Sequence, residues 1–96
     1  MSNREMYVDV LKSRLNEWND RIDMLRVLVG LARQETRDEV KERMDHLRTK
    51  RDEFASKVKD FEETGEEANK AVKQGMERIT ADLRETFDEV KSTLAS

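Results

Sequence analysis

The sequence predicts an all-α fold made of long amphipathic helices, and three observations carry that prediction. Apolar residues recur at alternating spacings of three and four, charged residues fill most positions between them, and proline is absent from the chain. Strands would alternate with a period of two, and none of these runs does. With 35% hydrophobic and 43% charged residues, the 96-residue chain can fill a thin seam between helices but not a thick globular core. Sustained apolar periodicity among Leu, Met, Ala, Glu, Lys and Arg, the residues that lose least on entering a helix, argues against disorder.

The first ladder is Val8, Leu11, Leu15, Trp18, Ile22, Leu25, Val29 and Ala32. Around its end, residues 24–32 are apolar round more of the helix than any other stretch, and so wide a stripe wants more than one neighbour. Gly30 in this stretch either allows a close approach or is a tolerated helix glycine costing about 1 kcal/mol relative to alanine. The second ladder is Val40, Met44, Leu47, Arg51, Phe54, Val58 and Phe61; the third is Ala68, Val72, Met76, Ile79, Leu83, Phe87, Val90 and Leu94.

Between the second and third ladders, Gly65 suits the left-handed residue that ends a helix, and Thr64 with Glu67 has capping-box spacing. A reversal there sets Val58 against Val72, Phe54 against Met76, Leu47 against Leu83, Met44 against Phe87 and Val40 against Val90. Arg51, opposite Ile79, is out of character; its stem is expected to lie along the seam with the guanidinium in water.

The first ladder then needs a partner, and two arrangements supply one. In the preferred arrangement one helix covers residues 4–62, about 90 Å long at 1.5 Å per residue, and its N-terminal half packs against a second copy. The chain is then a single domain over 1–96, a long antiparallel helical hairpin of coiled-coil type with a turn at about 62–66 and a second helix over about 66–94. The alternative is a three-helix bundle with a further turn near residues 33–36. Thr36 with Glu39 and the successive four-residue steps between Ala32, Thr36 and Val40 favour the extra turn, whereas residues 31–35 are good helix formers without Gly, Pro or Asn.

No chemistry-bearing constellation accompanies the ladders. His46 is the sole histidine, and Arg43 stands three residues before it where a carboxylate-bridged metal site would need an acid. The absence of cysteine removes thiol catalysis and zinc-thiolate sites. Gly30, Gly65 and Gly75 are too far apart for a phosphate-binding loop. Arg48, Lys50 and Arg51 are interrupted by Asp45, Asp52 and Glu53, so no unbroken basic face for nucleic acid forms. Charge is balanced over residues 1–30 and 31–62, and the net charge of −3 comes from residues 63–96. No apolar run approaches the roughly 18 residues of a membrane span. The expectation is a soluble, cytoplasmic protein without catalytic residues, metal or cofactor, and not an enzyme.

The residues Tyr7, Leu11, Lys12, Leu15, Glu17, Trp18, Ile22, Asp23 and Leu25, then Leu47, Arg48 and Lys50 to Glu53, then Gly75 to Arg78 leading to Leu83, Arg84, Glu85 and Phe87, form a further pattern. In it the chain resembles a diffuse group of small bacterial coiled-coil proteins, some labelled stress-response proteins. The resemblance implies an uninterrupted middle segment. The chain departs from the group at Asn69 and Thr80, where aromatic residues are expected, and in the more apolar Val27–Leu31 stretch, which suggests stronger self-association.

The functional expectation is a structural or protein-interaction coiled coil that forms a homo-oligomer, a dimer above all, through Leu15, Trp18, Ile22, Leu25, Leu28, Val29 and Leu31. The rival is reversible binding of a lipid surface or an unfolded client by opened amphipathic helices, which the balanced charge disfavours.

Overall fold

The computed structural model describes residues 2–65 and 69–96, and among them every regular element is an α-helix. Helix α1 spans Asn3–Leu31, α2 Gln34–Thr64 and α3 Lys70–Ala95. The span 4–62, expected as one helix, is therefore two, and the turn between them lies at Ala32 and Arg33.

That turn uses no special residue. Ala32 (φ −80°, ψ 164°) and Arg33 (φ −66°, ψ 154°) are both in extended backbone, a conformation open to any L-amino acid. The Ala32 N–H donates to the Val29 carbonyl at 3.1 Å, closing the last turn of α1, and the Arg37 N–H donates to the Arg33 carbonyl at 3.0 Å, opening α2. Thr36 and Glu39, the expected capping pair, lie inside α2 instead. Good local helix formers at 31–35 are overridden because the turn lets the first ladder bury itself in the chain's own core.

The remaining helix ends follow local chemistry. At the start of α1, the Ser2 hydroxyl accepts from the Glu5 N–H at 3.1 Å, capping one of the free amides of the first turn. Gly65 closes α2 with φ +68°, the left-handed region that favours glycine, as expected. Helix α3 starts later than about 66: Asn69 caps it, its side-chain oxygen accepting from the Val72 N–H at 2.9 Å. Glu67 and Ala68, the expected cap partner and first rung, lie outside the described residues.

Contacts between helices fix their directions. Lys12 meets Glu62 at 3.0 Å and Arg51 reaches Asn19 at 3.4 Å, so α2 runs back along α1. Arg43 meets Glu89 at 3.0 Å and Lys50 meets Asp82 at 3.5 Å, so α3 runs back along α2. Arg14 meets Glu77 at 3.3 Å and Trp18 packs on Phe87, which places α1 and α3 side by side in the same direction. One core joins all three helices: Leu11, Trp18, Ile22 and Leu25 from α1, Val40, Met44, Leu47, Phe54 and Val58 from α2, and Met76, Ile79, Leu83 and Val90 from α3. Thr80 and Thr86 are also buried, and the Thr80 hydroxyl donates to the Met76 carbonyl one turn back at 2.9 Å. At 48 × 20 × 18 Å the whole is a short rod about one helix long.

Candidate interaction surface

A helix at the edge of a bundle normally places its apolar side chains on one stripe facing the core and its polar ones opposite. Helices α2 and α3 obey this pattern, but α1 does not. Its inner stripe, Val8, Leu11, Trp18, Ile22 and Leu25, is buried. Its outer face also carries apolar groups: Met24 is 48%, Val27 60%, Leu28 44% and Leu31 81% exposed. These positions stand at i, i+3, i+4 and i+7, so they form one continuous patch over the last two turns of α1. Met6 and Val10, at the other end of the same face, are exposed too, and line a concavity with Asn3, Tyr7, Asn69 and Lys73. Among the described residues these six are the large exposed hydrophobics, and every one belongs to α1.

The residues expected to carry assembly are thus divided between two faces. Trp18, Ile22 and Leu25 are buried, and Leu15 and Val29 are half-buried against the same core. They pack on α2 and α3 of their own chain, which leaves Trp18, Ile22 and Leu25 no free surface for a second copy. Leu28 and Leu31 lie on the outer face, where Met24 and Val27, missed in the sequence reading, complete the patch. The width of the apolar stripe over 24–32 was the available signal.

Charges frame the patch. Glu17 and Asp20 are exposed one to two turns before it on the same face, and Arg33 is exposed in the turn just after it. Among the described residues none of these three engages in an ion pair within the chain. Asp23 at the margin contacts Arg26 loosely, at 3.8 Å. Gly30 has open space where a Cβ would stand, so nothing within the chain requires a glycine there.

No family model matches the chain, and neither a curated protein nor a solved structure matches it. None of these comparisons bears on the resemblance to small bacterial coiled-coil proteins.

The other polar groups are distributed over the surface as ion pairs, some between helices and some within one. His46 Nε2 lies 3.2 Å from Asp82 Oδ1 with the ring half exposed, and the carboxylate is shared with Lys50. Lys50 also donates to Glu53 at 3.2 Å, and that hydrogen bond, ahead of the neighbouring charges, raises its pKa above the ordinary lysine value. Arg51 is half-buried; its guanidinium bonds Asp52 at 2.8 Å and reaches Asn19 of α1, so its head is not simply in water. Among the described residues no three His, Cys, Asp or Glu side chains converge in a way that could hold a metal ion. No described helix is long and apolar enough to cross a membrane.

Proposed function

We propose that the chain is a non-catalytic helical interaction module that associates through the outer face of α1, with a second copy of itself as the principal partner. The observation that carries this reading is the patch of Met24, Val27, Leu28 and Leu31, exposed on a helix whose opposite face already fills the core. Leaving large aliphatic groups in water forfeits about 1.5–3 kcal/mol for each side chain that could be fully buried. Contiguous exposed apolar patches of this kind mark association surfaces more often than scattered single residues do.

The patch is four side chains over two turns of one helix, whereas a standard stable interface takes about 20–30 residues and about 800 Å² on each partner. Association through it is therefore weak and reversible rather than obligate, which fits a chain that buries a complete core by itself. The acidic residues Glu17 and Asp20 beside the patch disfavour an anionic membrane as its target, because interfacial helices flank their apolar face with lysine and arginine.

The test is the mass of the protein in solution as a function of concentration, for the parent and for the double variant Leu28→Glu, Leu31→Glu. Both positions are exposed, so helical content should be unchanged while a concentration-dependent dimer seen in the parent disappears. A parent that stays monomeric at the highest attainable concentration overturns self-association. Substituting Leu25 would break the core instead of the contact, because that side chain is fully buried within the chain.

A further inference from the structure

Resting on the self-association reading above, we propose that two copies pair their α1 helices antiparallel about a two-fold axis passing between Val27 and Leu28, with Asp20 of each copy beside Arg33 of the other. A two-fold axis at that point sets Met24 opposite Leu31 of the second copy and Val27 opposite Leu28, so an isologous contact closes using only the exposed apolar side chains. No charge enters the seam.

Charge decides the direction. With a rise of 1.5 Å per residue, Asp20 lies about 11 Å from the axis along α1 and Leu31, the last residue of the helix, about 5 Å on the other side, with Arg33 in the turn two residues beyond it. Antiparallel pairing brings them within an arginine's reach of each other across the contact, with Glu17 one turn beyond. Each of these groups is exposed and without an ion-pair partner in its own chain among the described residues. Parallel pairing in register stacks Asp20 on Asp20 and Glu17 on Glu17 along the same face, a repulsion that opposes it. Antiparallel pairing about the centre of α1, which would bring Met6 and Val10 into the contact, sets Glu17 of the two copies against each other on the axis.

The absence of cysteine makes the test direct. Single variants Met24→Cys and Leu31→Cys are oxidised separately and as an equimolar mixture, and disulfide-linked dimers are scored under non-reducing conditions. The antiparallel contact predicts little self-linked product from either variant and a strong cross-linked product from the mixture, since only unlike positions face one another. In a second arm, Asp20→Arg and Arg33→Asp should each weaken dimerisation several-fold, and the double variant should restore it. Both positions are exposed, so neither change threatens the fold.

Efficient linking of each variant to itself overturns this pairing in favour of a parallel one. A parent dimer whose cysteine variants link in no combination overturns it in favour of another face, as does a double charge variant weaker than either single one. A parent that is monomeric by mass removes the self-association reading itself, so the two failures are distinguishable.

Discussion

Trp18 of α1 and Phe87 of α3 meet edge to face, with ring centroids 5.8 Å apart and planes inclined at 79°. This arrangement aligns the positive edge of one ring with the negative face of the other and closes the core between the first and third helices. Arg21 lies over the Trp18 ring, 4.8 Å from its centroid, so the indole is covered on its solvent side as well. Trp18→Ala is predicted to cost about 3–5 kcal/mol, a large part of the 5–15 kcal/mol that holds a small domain together. Thermal or denaturant unfolding followed by circular dichroism measures it, and a loss below about 1 kcal/mol would contradict the burial described.

Tyr7 packs its ring against Phe61 at 5.9 Å, yet its buried hydroxyl has no hydrogen-bond partner among the described residues. Desolvating a hydroxyl without compensation costs about 1–3 kcal/mol. Tyr7→Phe keeps the ring contact and removes the orphaned group, so it should raise the stability by about 1 kcal/mol. A lowered Tm would show that the hydroxyl is satisfied in solution.

Burial also pushes the Tyr7 pKa above its ordinary value of 10.0, with Arg14 opposing and Glu77 reinforcing the shift. The Lys50 pKa is raised above 10.5 by its hydrogen bond to Glu53. Both groups hold their protons more tightly in the folded chain than in the unfolded one. Their contribution is fully present below the unfolded values and is lost as pH rises through the folded ones. The Tm should therefore be level at neutral pH and fall once pH exceeds about 10, with a shallower alkaline fall in Tyr7→Phe. An equal fall in parent and variant would remove Tyr7 from the linkage.

Gln34 is the first residue of α2, and Arg33 before it is extended. Proline is at home in that position: its missing N–H is not needed in the first turn, and the residue before it must be extended in any case. Gln34→Pro should keep the helical content and hydrodynamic radius and leave stability unchanged or raised by about 0.5 kcal/mol. Arg37→Pro, which removes the N–H that bonds the Arg33 carbonyl, should cost about 3 kcal/mol or more. Strong loss of helicity in Gln34→Pro would mean that the chain is continuous through this point in solution.

The inward ladders were legible because period alone identifies them: Leu11, Trp18, Ile22 and Leu25, then Val40, Met44, Leu47, Phe54 and Val58, then Met76, Ile79, Leu83 and Val90 lie in the core. The break at Ala32 and Arg33 was legible only as the less favoured alternative, a three-helix bundle with a turn near residues 33–36, since extended backbone leaves no mark in residue type and the two arrangements differ in tertiary burial. The start of α3 was misplaced because a capping-box spacing is common in a glutamate-rich chain, whereas Asn69 was read only as a departure from the resembled group and not as a cap. Glu53 bonds Lys50, which Asp82 of α3 holds nearby, a pairing that depends on where α3 lies and so leaves no mark in the sequence. In α1 the apolar width over 24–32 was visible, but only the positions of α2 and α3 separate Leu25, which faces them, from Leu28 and Leu31, which do not.

The two turns of this chain differ in how much they demand of their sequence. Gly65 must supply a left-handed residue and Asn69 a cap, so the α2–α3 connection is tied to particular amino acids. Ala32 and Arg33 supply nothing that another pair could not, and the helices they join are held by Leu25, Val40 and Met44 rather than by the turn. The α1–α2 connection is thus the natural point at which to lengthen the chain. Closing a longer loop costs only about 0.6 kcal/mol per doubling of its length, so a flexible insert between Ala32 and Arg33 leaves both helices free to pack into their shared core.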